Sequence, residues 1–127
     1  MNARRKWVAT VLLLSVILIT GCAKSPESTV RSFYRAVEKG ELTEARSYVS
    51  SQILQMLGEA KISVALSGET EKIGKCGGIK DIDVKLEGKG QVRSGIAVVT
   101  FAGQCPPSTE KVKMIKEDGK WKLTAEK

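Results

Sequence analysis

The chain has 127 residues, a formal charge of +7 and no histidine. That length gives room for one domain of ordinary size. Without an imidazole, the Ser-His-Asp and Cys-His arrangements and histidine-ligated metals are all excluded. Acidic residues are interspersed with the lysines after residue 23, so the basic patch of a nucleic-acid binder is absent and no nucleic-acid partner is expected.

In chain order, the first segment is positive at Arg4, Arg5 and Lys6, apolar from Trp7 to Ile19, and small at Thr20 and Gly21 before Cys22. The apolar run spans 13 residues, short of the roughly 20 that a membrane-spanning helix needs, and matches the hydrophobic part of an export signal. The tetrapeptide Ile19-Thr20-Gly21-Cys22 resembles the lipobox of bacterial lipoproteins. This resemblance implies cleavage between Gly21 and Cys22 and a diacylglycerol thioether on Cys22. An uncleaved membrane anchor and a plain secretory signal are the alternatives. Each buried methylene of an acyl chain contributes about 0.8 kcal/mol, so two or three chains hold a domain at a membrane indefinitely. Ala23 stands where an aspartate would resemble an inner-membrane retention signal; in a source with two membranes this points to the outer one. The expected organisation is a signal peptide over 1–21, the lipidated cysteine and a tether over 22–28, and one α+β domain over 29–127 facing the periplasm or exterior. Losing Arg4, Arg5 and Lys6 from +7 leaves +4 on residues 22–127, since residues 1–21 hold no acid.

Ser25-Pro26-Glu27 reads as an N-cap, an N1 proline and a first-turn acid, so a helix starts there. Val30, Phe33, Tyr34 and Val37 follow at i, i+3, i+4 and i+7, with Gly40 at the C-terminal cap position. A second short helix is expected over Leu42 to Val49. A third, capped by Ser50 or Ser51, carries Ile53, Leu54, Met56 and Leu57, with its end uncertain at Gly58. The stretch from Lys61 to Gly78 is ambiguous, because Ile62, Val64 and Leu66 fit a strand or a helix remnant before Ser67-Gly68.

Beyond Gly78 the period becomes two: Ile82, Val84 and Leu86 alternate with Asp81, Asp83, Lys85 and Glu87. Gly88 to Gly95 turns the chain, Ile96 to Phe101 is β-rich, Val112 and Met114 alternate with lysines, and Asp118-Gly119 makes a hairpin turn before Trp121 and Leu123. The predicted architecture is α+β, with N-terminal helices packed on one face of an antiparallel meander of about four strands. Parity places Lys85, Lys111, Lys113, Lys120 and Lys122 on a polar outer face, and Val84, Val112, Trp121 and Leu123 toward the helices. The lysine face reads as solvated, since scattered lysines among acids carry little field.

With Cys22 assigned to lipid, Cys76 and Cys105 remain as a pair. Export to an oxidising compartment favours a disulfide between them. Two free thiols or a two-cysteine metal site are the alternatives, and no histidine is present to complete common zinc ligation. Gly68 to Cys76 faintly suggests a phosphate loop, but Cys76 replaces the Ser or Thr that would hold magnesium, so it is rejected. Asp81 and Asp83 share a strand face, yet no acidic loop supplies the six or more oxygens of a calcium site. No catalytic residue, metal or cofactor is assigned.

Ser25-Pro26-Glu27-Ser28-Thr29-Val30 through Phe33-Tyr34 and Gly40, Gly77-Gly78-Ile79, and Lys116-Glu117-Asp118-Gly119-Lys120-Trp121-Lys122-Leu123 together resemble a family of small bacterial lipoproteins, domain-of-unknown-function family 4878. That resemblance implies a nuclear-transport-factor-2-like (NTF2-like, cystatin-like) fold, in which helices and a curved sheet form a cone able to hold a small molecule. Phe33, Tyr34, Val37 and Trp121 are the candidate cavity or core residues. The functional expectation is a non-enzymatic, membrane-anchored domain that binds an envelope protein, a peptide or a small ligand. The alternatives are a ligand-processing enzyme of isomerase or dehydratase type using the cone, and a structural or assembly component of the envelope.

Overall fold

The computed structural model describes residues 24–126; the expected signal segment, Gly21 and Cys22 lie outside them. Three helices precede four strands: α1 over Pro26–Glu38, α2 over Leu42–Ser47, α3 over Ser51–Lys75, then β1 over Ile79–Glu87, β2 over Val92–Phe101, β3 over Ser108–Glu117 and β4 over Lys120–Thr124. The strands form one antiparallel sheet in the order β1-β2-β3-β4. No helix among the described residues is long and apolar enough to cross a membrane.

Helix α1 starts where its residues satisfy the open N–H groups of a first turn. The Ser25 Oγ accepts from the Ser28 N–H at 3.1 Å, and Pro26 occupies the first helical position. Residues 25–28, expected to belong to the tether, are therefore the cap and first turn of a packed helix. Lys24 also lies on the body of the domain, its Nζ 3.0 Å from Ser32 Oγ and 2.9 Å from Tyr48 Oη. Both contacts shorten the tether expected over 22–28.

The ambiguous segment is helical to Lys75, so α3 runs 25 residues. Gly58, at φ 77° and ψ 159°, interrupts it with a kink that divides α3 into two helical pieces, a conformation that the missing Cβ makes accessible. Beyond the kink, Ile62, Leu66 and Ile73 are buried on one side of the helix while Val64 is exposed, the spacing of an amphipathic helix rather than of a strand. Thr70 Oγ1 donates to the Val37 carbonyl at 2.6 Å and locks α3 to α1. Met56 and Leu57 fall on the solvent side just before the kink.

The sheet register settles which side chains meet the helices. Ile82 pairs with Val99, Val84 with Ala97, Gly95 with Val112, Arg93 with Met114, and Met114 with Leu123. Of these, Ile82, Val84, Ala97, Val99, Val112 and Met114 are buried in one core with Val30, Val37, Ile62 and Leu66. The opposite face carries the five predicted lysines, but it is not polar throughout. Ile96 pairs with Lys85 and Lys111, and Val92 pairs with Ile115, so the two middle strands also turn apolar side chains outward. Val92 and Ile96 are both exposed.

Both sheet edges carry contacts from the helical layer, which reduces the pairing hazard of open strands. Along β1, Arg31 Nε donates to the Ile82 carbonyl at 3.3 Å, Arg35 Nη1 to the Ile79 carbonyl at 3.2 Å, and Glu38 Oε1 accepts from the Ile79 N–H at 2.9 Å. Beside β4, the Leu123 N–H donates to the Tyr48 carbonyl and the Ser50 N–H to the Leu123 carbonyl, each at 2.7 Å. The later helix residue meets the earlier strand residue, so α1 runs opposite to β1 and its N-terminus points to the β1–β2 turn. The molecule thus has two distinct ends: a turn end with residues 88–91 and Asp118-Gly119, and a disulfide end with Cys76, Cys105 and the start of β1.

Candidate functional site

At the disulfide end, Cys76 closes α3 and Cys105 lies in the β2–β3 connection; their sulfurs are bonded, with Cα atoms 5.3 Å apart. The pairing follows from the meander, because the start of β1 and the end of β2 are neighbours, Ile79 facing Phe101. The chains cross closely here: the Gly103 N–H donates to the Cys76 carbonyl at 2.9 Å, and a Cβ on Gly77 would fall 2.7 Å from the Gly103 nitrogen.

Next to this crossing, a cleft of about 260 Å³ lies between α1, α3 and the helix-facing side of β2 and β3. Its walls are Phe33, Ile73, Val99, Phe101, Val112 and Leu123, and its polar groups are Tyr34, Glu69, Lys72, Ser108, Glu110 and Lys111. The two consecutive aromatics of α1 share it, their rings edge to face with centroids 5.5 Å apart. Ser108 Oγ donates to Glu110 Oε1 at 2.9 Å. The Tyr34 phenol is pushed up to about 12, first by burial and then by the negative charges of Glu110 and Glu69. Two carboxylates therefore act on one protonated hydroxyl at the mouth of an apolar cleft. A larger groove of about 410 Å³ runs outside α3 past Gly68, Glu71, Lys72, Lys75 and Cys76. It is more open and lacks an aromatic wall, so the smaller cleft is the better site.

Of the predicted cavity or core residues, Phe33 and Tyr34 line the cleft, whereas Val37 is 2% exposed in the core beneath. Trp121 is not in the cleft. It sits half-buried against the core at the turn end, with the Arg93 guanidinium 5.1 Å and the Lys116 ammonium 5.7 Å from its ring. Residues 68–75 are helical, so their backbone N–H groups are largely taken up by helix hydrogen bonds, and the segment forms no phosphate loop. Asp81 and Asp83 lie exposed on the outer sheet face. No group of three or more His, Cys, Asp or Glu placed to hold a metal occurs among the described residues.

Sequence reasoning missed Glu69, Lys72, Ser108 and Glu110. The first two lie in the stretch left open between strand and helix. Extending the Ile62, Leu66, Ile73 stripe through Gly68 would have placed them beside it. Ser108 and Glu110 gave no signal, since they occupy helix-facing positions of β3 opposite Val99 and Ala97, where an apolar residue is the usual expectation. That break in the apolar pattern is itself the mark of the cleft.

No protein-family model matches the chain, and no curated protein matches it in sequence. Its likeness is to solved structures. A protein from Campylobacter jejuni named an NTF2-like transpeptidase superposes with a TM-score of 0.69 at 20% identity, over 81% of this chain and all of that one. A SEC-C motif containing protein from Rhodopseudomonas palustris superposes with a TM-score of 0.49 at 14% identity, over 80% of this chain and 79% of that one. The first likeness, together with helices followed by a four-stranded antiparallel sheet, establishes an NTF2-like α+β fold.

Proposed function

We propose that the protein is an envelope lipoprotein of the domain-of-unknown-function 4878 kind, anchored through Cys22, whose domain binds a ligand and carries out no reaction. The lipobox-like Ile19-Thr20-Gly21-Cys22 and the short apolar run before it support the anchor. The single observation that carries the binding reading is the cleft, apolar in its walls, with Glu69 and Glu110 both acting on the Tyr34 hydroxyl at its mouth. Such a site suits a group with an apolar body and a cationic end, for example a lysine or arginine side chain of an envelope peptide, or a small hydrophobic amine. Lys72 and Lys111 also line the cleft and offset part of the negative charge, so a singly charged cation is favoured over a doubly charged one.

Transpeptidation, the activity in the name of the Campylobacter protein, is not carried over. Acyl transfer needs a nucleophile next to a competent base. Among the described side chains Ser108 Oγ is hydrogen-bonded to Glu110, and that carboxylate is exposed to solvent.

Titration of the domain with the dipeptide acetyl-Phe-Lys-amide and with its Nε-acetylated counterpart, followed by NMR shifts, tests this reading. The charged peptide should perturb Phe33, Tyr34 and Glu110 and the neutral one should not, with the difference abolished in Glu69→Gln/Glu110→Gln. Equal perturbation by both peptides, or none at the cleft, would refute it.

A further inference from the structure

The turn end of the domain gathers features that the cleft does not use. Trp121 packs against the core on one side and carries Arg93 and Lys116 over its ring. Arg93 Nη1 donates to the Gly90 carbonyl at 2.6 Å, and the Lys116 N–H to the Gln91 carbonyl at 2.9 Å, which joins this cluster to the β1–β2 turn. Lys89 and Lys120 stand exposed on the two turns.

Two separate lines place the start of the folded chain at this same end. The crossed pairs Arg31 to Ile82 and Arg35 to Ile79 aim the N-terminus of α1 at the β1–β2 turn. Lys24, besides bonding Ser32, holds Tyr48 through its hydroxyl and at 4.9 Å over its ring. The Tyr48 backbone is bonded to Leu123, two residues along β4 from Trp121. Only Ala23 separates Lys24 from Cys22. Consecutive Cα atoms are about 3.8 Å apart, so even a fully extended chain keeps Cys22 within roughly 8 Å of Lys24.

We infer that the turn end, centred on Trp121 with the cations Arg93 and Lys116 close to its ring, lies directly on an anionic lipid surface and fixes the orientation of the domain. This rests on the anchor at Cys22. A tryptophan with cations beside it suits the headgroup layer, where the ring has an apolar body and the ammonium and guanidinium groups meet phosphates. Glu87 and Asp118 lie exposed at the same end and weaken the attraction. A weak attraction is sufficient, because the acyl chains hold the protein and this surface has only to choose among orientations. Docked in this way, the domain turns the Cys76–Cys105 bridge and the Phe101 side of the cleft away from the membrane, toward the envelope space.

Signal cleavage removes Trp7 and leaves Trp121 as the single tryptophan of the product, which makes its emission a specific probe. Mature protein taken from membranes, with the acyl mass on Cys22 verified, is reconstituted into vesicles of brominated phosphatidylcholine with or without phosphatidylglycerol. The expectation is about two-fold quenching of Trp121 in the anionic vesicles, as for a ring at headgroup level, and its loss in Arg93→Glu/Lys116→Glu. A second pair, Lys89→Glu/Lys120→Glu, alters only exposed turn residues and should reduce the quenching without touching the ring. Acylated protein whose emission stays unquenched, or is quenched equally without phosphatidylglycerol, overturns the docking while the anchor stands. A product with no acyl mass on Cys22 overturns both.

Discussion

The disulfide end and the turn end of this domain are built by opposite means. At the turn end the chain reverses through Asp118-Gly119, where φ values of 49° and 76° give the left-handed pair that a two-residue hairpin requires, and no covalent tie is needed. At the disulfide end three segments cross: the close of α3, the start of β1 and the six-residue connection from Ala102 to Pro107 between β2 and β3. Local turn chemistry closes the first and a covalent bond closes the second. A cleft between two layers is stable only where its borders are held, and the cleft lies on the side where the bond is.

The largest effect should come from removing that bond. Cys76 and Cys105 are separated by 29 positions, and closing a loop of that length contributes about 3–4 kcal/mol on the chain-entropy model. The Cys76→Ser/Cys105→Ser variant should lose that much in urea unfolding followed by circular dichroism. Hydrogen exchange should rise at residues 74–78 and 102–107 while the Asp118-Gly119 hairpin stays protected. Exchange rising equally at both ends would show that the domain opens as a unit and that the contrast between its ends is false.

A pair of alanine substitutions sharpens the same contrast at smaller scale. Gly119 has φ 76°, and a Cβ added there would have nothing within 4 Å, so Gly119→Ala meets backbone strain alone and should cost about 1–2 kcal/mol. Gly77 has φ 82°, and its Cβ would strike the Gly103 backbone. Gly77→Ala adds this displacement to the strain and should cost about 1–3 kcal/mol more than Gly119→Ala. Thermal unfolding of the two variants side by side checks the ranking; equal costs would mean that the crossing at Gly103 yields freely.

How far each end could be foreseen follows from the same physics. The meander was legible because Ile82, Val84 and Leu86 alternate with charges and Asp118-Gly119 has one favoured turn. The cysteine pair was legible because the meander makes neighbours of the segments holding Cys76 and Cys105. Helix α3 was legible as far as its break at Gly58 and not beyond, since Gly68 and Gly74 argue locally against a helix whose stability comes from burying Ile62, Leu66 and Ile73 against the rest of the core. Tertiary burial overrode propensity there. The cleft was only half visible: Phe33 and Tyr34 announced themselves by helical spacing, whereas Glu69 and Glu110 acquire meaning only once α3 and β3 flank the same aromatic pair. Trp121 was legible as a core residue and not as a cavity one: parity put it on the helix-facing side, where it packs against the core, but parity does not report position along the strand, and it lies two residues from Leu123, a wall of the cleft.

The smallest effect concerns the Tyr34 hydroxyl, and it tests whether the cleft keeps its acid-flanked form in solution. Burial and the charges of Glu110 and Glu69 raise this phenol from 10.0 to about 12. Between those values the folded protein holds a proton that the unfolded chain has released, so stability falls as pH rises through this window and is unaffected below it. At pH 11 the loss attributable to Tyr34 should be about 1 kcal/mol, given 1.36 kcal/mol per pKa unit. Tyr34→Phe has no proton to lose, so the difference in unfolding free energy between wild type and variant should shift by that amount between pH 9 and 11. Absorbance at 295 nm should show the corresponding late-titrating phenolate disappear in the variant. If the difference stays flat across this range, Tyr34 is solvated and remote from both carboxylates. The cationic preference of the cleft then loses its basis, while the bridge and the turn end keep theirs.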